Sequence, residues 1–400
     1  MSNTWKIYIL AVVSFLVGTS EFIIAGILDK VADDLGISLA AAGQLITVFS
    51  LAYAFGTPFL LAAAAKVQSK KLLLYALAVF VLSHIATLVL PGFAFLIGFR
   101  IIMALASGVF VVTALTVAAK LAPPEKQGSA IATLVMGFST ALIVGVPLGR
   151  LAASIYDWKL VFGALGILGI LAIVLVAFTI PNTESEQPVP LREQVSLLRN
   201  PKIAVALLIT FFWIGGYSIT YTYISPFLLT ITGMSEQAVS IALFAFGVAS
   251  LIGSKLGGFS TDRWGFSPTL VGGMLVHTVV LVLISLAAHS TALMFPLLML
   301  WSFSAWSSGP TQQYHLLTLA PGASSIMLSL NSSVLQLAMA AGAGMGGVIV
   351  EHSSLSVTSW IGAAGVFAAV LIAASLLGYF RAGAAARAKR ENATIQKARV

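Results

Sequence analysis

Long apolar runs separated by short polar breaks dominate the chain. They cover residues 7–28, 42–65, 72–90, 94–119, 128–153 and 159–180, then 203–229, 236–257, 267–288, 292–319, 324–349 and 356–380. About twenty apolar residues, rising 1.5 Å each, cross the hydrocarbon core of a bilayer as a helix. No run shows the ten-residue alternation of a membrane barrel, so helices are the only plausible spans. The pattern predicts twelve of them. The first run is no cleavable leader: it is too long, it carries Glu21, and no small-residue cleavage site follows.

Composition narrows the class. The chain of 400 residues is 59% hydrophobic and 8% charged. A soluble fold needs about a quarter charged residues, and too few charges exist here to coat one. A soluble enzyme, a disordered chain and a disulfide scaffold are excluded together. With no cysteine there is no thiol catalysis, cysteine-ligated metal or disulfide. The net charge of +8 does not point to nucleic acid, because the basic residues flank apolar runs, where they set topology and meet lipid headgroups. Of the 21 Lys and Arg residues, only Lys30, Arg150 and Lys159 fall on one set of connecting segments; Arg100 lies inside a span and the rest fall on the other set. By the positive-inside rule both termini are cytoplasmic. Short loops and absent cysteines suit a bacterial inner membrane.

A polar, proline-bearing break at residues 181–202 sits at the centre of the chain. It divides an N-terminal six-helix bundle (1–180) from a C-terminal one (203–380), ahead of a basic tail (381–400). Its LREQVSLLRN portion suits a short surface helix or an unstructured tether. An offset of 197 residues aligns Gly36 with Gly233, Ser38 with Ser235, Gly56 with Gly253, Gly145 with Gly342 and Gly149 with Gly346. An internal repeat of six spans is what carriers built of two rocking bundles show. The predicted fold is an all-α integral membrane protein, twelve transmembrane helices in two pseudo-symmetric bundles.

Glu21 and Arg100 are the ionisable residues of opposite sign left inside spans. Each lies eight residues from the outer end of its span, about 12 Å deep, so a direct or water-bridged pair is feasible. A carboxyl that gains and loses its arginine partner can load and release a proton; a static pair would only fix packing. The offset maps Glu21 to Ser218 and Arg100 to Leu297, so coupling is expected in the first half. Trp213, Tyr217 and Tyr221 recur at four-residue spacing in the seventh span. Trp301, Trp306, Gln312 and Gln313 lie in the tenth, Asn331 and Gln336 in the eleventh. Aromatic faces with amides suit planar, neutral, hydrogen-bonding ligands. An interfacial belt is the competing reading, and it fits Trp5, Trp158 and Trp360 better. The five histidines show no metal-ligand spacing, and no metal is expected. His84 and His277 read as lone span residues, and His315 as a possible aid to proton release.

Two motifs carry a family resemblance. The stretch GGFSTDRWG, with Gly258, Asp262, Arg263 and Gly265, resembles the G-x-x-x-D-R-x-G loop of the major facilitator superfamily. The matched first-half place, Ala65-Lys66, lacks the acidic residue. Gly137-x7-Gly145-Val-Pro147-Leu-Gly149 resembles the antiporter motif of the drug:proton antiporter family. Within that family the chain looks closest to purine base efflux pumps and related nucleoside and sugar exporters. The resemblance implies a cavity lined by spans one, four, seven and ten, alternating access, and proton-driven export. No enzyme activity and no cofactor beyond the proton gradient are expected. The expected partners are a small-molecule substrate and the lipid bilayer, with a monomeric carrier and no nucleic acid.

Overall fold

The computed structural model describes residues 2–64, 66–123, 126–182, 196–320 and 323–375. Residues 191–195 of the linker's candidate surface helix, Ala65 and the basic tail lie outside them, while residues 196–200 are described and end in a turn. Among the described residues the chain is helical throughout. The elements are α1 (Asn3–Gly26), the short α2 (Leu28–Leu35), α3 (Leu39–Ala63), α4 (Ser69–Val89), α5 (Phe93–Leu121), α6 (Gln127–Ile155) and α7 (Lys159–Thr179). The second half holds α8 (Pro201–Thr230), α9 (Glu236–Trp264), α10 (Phe266–Leu286), α11 (Thr291–Leu319), α12 (Ser324–His352) and α13 (Val357–Ser375). All but α2 match the expected spans. α11 is the least apolar of the twelve: it alone among these long helices falls short of the hydropathy of a membrane span, because serines, glutamines and tryptophans fill its second half.

The repeat is written into the backbone. Gly36 and Gly233 both take left-handed conformations, φ +60° and +71°, where a Cβ would be strained. Two residues on, Ser38 accepts from the Ala41 amide at 3.1 Å and Ser235 from the Ala238 amide at 3.3 Å, capping α3 and α9 alike. Gly145 lets α6 close on Thr19 of α1; its counterpart Gly342 lets α12 close on Gly215 and Ser218 of α8. The first helix of each half breaks near the same level, α1 at Ile27 and α8 at Thr222–Tyr223.

In α3 and α6 a wide π-helical turn precedes a proline: Ala52–Gly56 before Pro58, and Ala141–Gly145 before Pro147. Proline has no amide proton and its ring crowds the carbonyl four residues back, so the tight ladder gives way there. The glycines of the α6 motif pack within the first half. A Cβ at Gly137 would meet the Ala11 backbone, and one at Gly149 the Ile23 side chain.

The second-half motif differs from its expected turn. The helix α9 runs on through Asp262 and Arg263 to Trp264, and only Gly265, at φ +84°, makes the turn. Asp262 and Arg263 are exposed on the last helical turn. Gly258 has open space around it, whereas its neighbour Gly257 packs on the Ser307 backbone of α11.

Here the face bearing the N-terminus is called the near face and the opposite one the far face. The halves meet along α3 against α12 and α6 against α9. Those contacts lie from mid-depth to the far face: Gly347 sits on Ala40 and Gln44, and Gly247 on Leu142 and Ile143. The near-face parts of α3 and α6, Thr57–Ala63 and Gln127–Thr140, pack against their own half instead. The molecule is closed on its far face and parts toward the near one.

Candidate functional site

Glu21 lies on α1, six residues before the break at Ile27, and is 5% exposed. A charge at this depth is costly and needs partners. Of the direct and water-bridged pairs that equal depth makes feasible, the direct one between the Glu21 and Arg100 side chains is not formed. The guanidinium of Arg100, fully buried on α5, donates instead to backbone carbonyls: Nη1 to Ser20 O at 2.9 Å, Nη2 to Glu21 O at 3.3 Å and Nε to Leu45 O at 3.5 Å. It also lies 4.2 Å over the Phe49 ring. Arginine offers five donors in a rigid fork, and three carbonyls from two helices satisfy that fork without the carboxylate. Arg100 thus stitches α1, α3 and α5 together while standing beside Glu21.

The Glu21 carboxylate turns to the other half. Its Oε1 accepts from Gln336 Nε2 on α12 at 3.0 Å, and its Oε2 is buried without a partner. Below it, Ser20 Oγ bonds His84 Nε2 at 2.9 Å, and His84 Nδ1 meets the Phe80 carbonyl at 2.7 Å. His84 is therefore tied into the first half rather than alone.

The expected binding residues divide. Trp213 carries a buried indole N–H with no partner and reaches within 3.9 Å of a Cβ placed at Gly309 of α11, while the buried Trp306 indole N–H and Tyr217 hydroxyl face each other without a well-formed hydrogen bond. With Glu21 and Gln336 they form a layer of unmatched donors and acceptors near mid-depth. Unmatched buried polar atoms are rare in folded proteins, and a bound group or an ordered water is a common reason for one. The rest turn elsewhere. Trp301 is fully buried inside the second half, donating to His277 Nε2 at 2.7 Å among Tyr217, Tyr221 and Phe246. Tyr221 stacks on Tyr217 at 5.0 Å in the same cluster. Gln312 donates to the Ala206 carbonyl at 2.6 Å and to Thr210 at 3.1 Å, while Asn331 accepts from Thr210 at 2.9 Å; these amides hold α8, α11 and α12 together. Gln313 is exposed on the other side of its helix. Trp301, Tyr221, Asn331 and Gln313 are thus corrected from cavity lining to packing or surface, while Gln312 packs through its amide N–H and keeps a buried Oε1 without a partner. His315 stacks on Phe266 at 4.6 Å, away from Glu21.

The far face holds a cluster built from charges that, by sequence, belong to topogenic connecting segments. Arg150 is fully buried at the end of α6. It donates to the Gly26 carbonyl at 2.9 Å, to the Asp29 carboxylate, and to Glu236 of α9 at 2.5 Å. The other Glu236 oxygen takes Lys30 at 2.5 Å. One carboxylate of the second half therefore grips two cations of the first. Nearby, Ser225 of α8 donates to the Ala25 carbonyl at 3.0 Å. Asp34 accepts from Lys159 at 2.8 Å and Trp158 at 3.2 Å, and the lysine's hydrogen bond holds its carboxyl below the usual range. Trp158 is buried there, so it is no belt residue, unlike the exposed Trp5 and Trp360. The signal for this cluster was present: Arg150 follows Gly149 directly, within an unbroken helical run, and every charge that meets it belongs to the same end.

Two six-helix halves, closed together on one face around a mid-depth layer of unmatched polar groups, define a membrane transporter. The chain belongs to the Major Facilitator Superfamily, whose family model matches residues 10–343. It is 58% identical to the uncharacterized MFS-type transporter YbcL of Bacillus subtilis (strain 168) over 94% of this chain and 96% of that one. It is 28% identical to a probable sugar efflux transporter of Helicobacter acinonychis (strain Sheeba), over 90% and 92%. Among solved structures it shares its fold with a D-xylose-proton symporter, TM-score 0.75 at 18% identity over 92% and 96%. A bacterial homolog of the human lysosomal transporter Spinster in an inward-facing state gives TM-score 0.71 at 16% identity over 94% and 96%.

Proposed function

We propose that this chain is a proton-coupled secondary efflux carrier that exports small, planar, neutral solutes such as purine bases or nucleosides by alternating access. One observation carries the reading: the lone carboxylate at mid-depth, Glu21, bonds Gln336 across the two halves, keeps one oxygen unmatched, and stands beside Arg100. A group so placed feels both proton access and the relation of the halves. Trp213, Tyr217 and Trp306 supply stacking faces and single polar handles for a flat ligand. The charge bias makes the near face cytoplasmic, so this state opens inward, ready to load cargo, in a bacterial inner membrane. The α6 glycine motif supports export.

Purified protein in proteoliposomes, given a pH gradient, should move adenine, hypoxanthine or a nucleoside uphill. Glu21→Gln should abolish that uphill movement and leave downhill exchange within about threefold, since the amide keeps the size of the acid but carries no proton to exchange. Uphill export by Glu21→Gln at the wild-type rate removes the coupling site. A second reading, sugar efflux by the same machinery, draws on the name of the Helicobacter acinonychis relative. Sugars moved while purines and nucleosides stay behind would select it.

A further inference from the structure

The bond between Glu21 and Gln336 stands apart from the other side-chain hydrogen bonds described between the halves. The remaining side-chain hydrogen bonds between the halves among the described residues, from Lys30, Arg150 and Ser225, all lie at the far face. Gln336 sits on α12, the helix of the second half that packs along α3 of the first, and eight residues short of Gly344, which faces Thr47. It therefore stands about 12 Å nearer the parting face than that seam contact. Both partners are buried, at 5% and 6% exposure.

Two atoms are left over, Glu21 Oε2 and Gln336 Oε1. An ionised carboxylate only accepts, so it pairs with the amide N–H, as here. A protonated acid carries one O–H donor, whose match is an amide oxygen. Glutamine owns both groups on one planar end, and half a turn about its last side-chain bond exchanges them. Neither an aliphatic side chain nor a second carboxylate can meet both states. The titratable groups that face Glu21 are Arg100 from α5, His84 from α4 through Ser20, and Tyr53 from α3. The helices α6, α7 and α12 carry theirs only toward their far ends, at Arg150, Lys159, Glu351 and His352. Arg100 and His84 are held by backbone and side-chain groups of the first half. Among the described residues, Gln336 is the group of the other half that hydrogen-bonds Glu21.

We infer that Gln336 is a positioning residue through which the second half senses whether Glu21 carries a proton, its amide turning from donor to acceptor as the acid forms. The inference rests on Glu21 as the coupling site. The chain lacks cysteine, so spin labels at Tyr156→Cys and Ser354→Cys, exposed far-face sites in opposite halves, report closure by electron–electron distance measurement in nanodiscs. Wild type should redistribute between closed and open far-face states as pH changes. Glu21→Gln should not respond. Gln336→Met, similar in size but without a hydrogen bond, should lose at least about tenfold of the pH-driven change in population ratio, the scale of one charge-assisted bond. Gln336→Glu, which folds with a polar group in place, should displace the pH midpoint by about one unit or more, since two adjacent carboxylates must share a proton. A wild-type pH response in Gln336→Met, or an unmoved midpoint in Gln336→Glu, overturns the inference and leaves Glu21 standing. A pH response that persists in Glu21→Gln, or is missing from wild type, instead overturns the Glu21 reading.

Discussion

Glu236→Gln tests whether the far face is latched by one carboxylate. In the closed state Glu236 accepts from Lys30 and from Arg150, each at 2.5 Å. Arg150 does not depend on it alone, because Asp29 and the Gly26 carbonyl hold the same guanidinium within the first half. The substitution therefore leaves no bare buried cation, and the 3–5 kcal/mol cost typical of that case does not apply. A hydrogen bond to a charged group contributes roughly 1.5–3 kcal/mol, and water reaches this one: the Glu236 side chain is 31% exposed and Lys30 28%. The net loss is then about 1–2 kcal/mol from the closed state alone, a shift of roughly 5- to 30-fold toward an open far face. Lys30→Gln removes the outer, more hydrated contact and should shift the ratio less, by under about 1 kcal/mol. Because both cations share one carboxylate, Lys30→Gln should add little in the Glu236→Gln background. The Tyr156→Cys and Ser354→Cys label pair reads all three proteins directly. An unchanged distance distribution in Glu236→Gln, or a larger shift in Lys30→Gln than in Glu236→Gln, refutes the latch.

Three further outcomes follow from named contacts. Gly145→Phe should abolish transport and lower the melting temperature together, since even a Cβ there overlaps Thr19 and overpacking costs about 1–3 kcal/mol or more; Gly258→Ala, with open space around it, should leave both within about 0.5 kcal/mol of wild type. Trp301→Phe removes the donor to His277 deep in the second half, so thermal unfolding should fall by several degrees while the KM for the transported solute stays within about twofold; a KM change without a stability change would restore Trp301 to the cavity wall. Asp34→Asn should cost under about 1 kcal/mol at neutral pH, because its pair with Lys159 is largely exposed. The Asp34 carboxyl lies below its unfolded value of about 3.9, so its contribution is complete above that pH and lost as pH falls through the lowered one; chemical denaturation should find wild type and variant converging in acid, and a constant gap would assign the effect to packing.

Height along the membrane was legible in the sequence, and rotation about each helix was not. Apolar runs set the spans, and glycines at a fixed offset set the repeat, because a left-handed turn at Gly36 and Gly233 leaves a mark in residue type. Glu21 and Arg100 were placed at matching depth, and they do meet, but at the backbone. A span buried in protein on one side and lipid on the other is apolar all round, so no polar stripe shows which way a side chain turns. Trp213, Tyr217 and Tyr221 illustrate the error. Four residues advance a helix by about 400°, so each step drifts about 40°. Over two steps the face swings from the unmatched indole of Trp213 into the cluster around Trp301. Gln312 and Gln313 sit about 100° apart, so one is bound into the bundle and the other is exposed.

The same logic explains why the chemistry breaks the symmetry that the scaffold keeps. Glycine contacts recur in both halves because each half must close its first helix on its fifth, at Gly145 on Thr19 and at Gly342 on Ser218. Polar groups have no such obligation. The first half holds its buried cations, Arg100 and Arg150, by its own carbonyls and by Asp29. Among the described residues the second half bonds across the seam with one amide, one carboxylate and one hydroxyl, Gln336, Glu236 and Ser225. Gln336 and Glu236 each bond an ionisable group of the first half, Gln336 at mid-depth and Glu236 at the far face. They sit on different helices, α12 and α9, so separating the halves must break both bonds. A proton on Glu21 weakens the first without touching the second. If both bonds resist opening, Glu236→Gln should also reduce how much of the closed population depends on Glu21 protonation. Unchanged pH sensitivity in that variant would mean that the two contacts open independently.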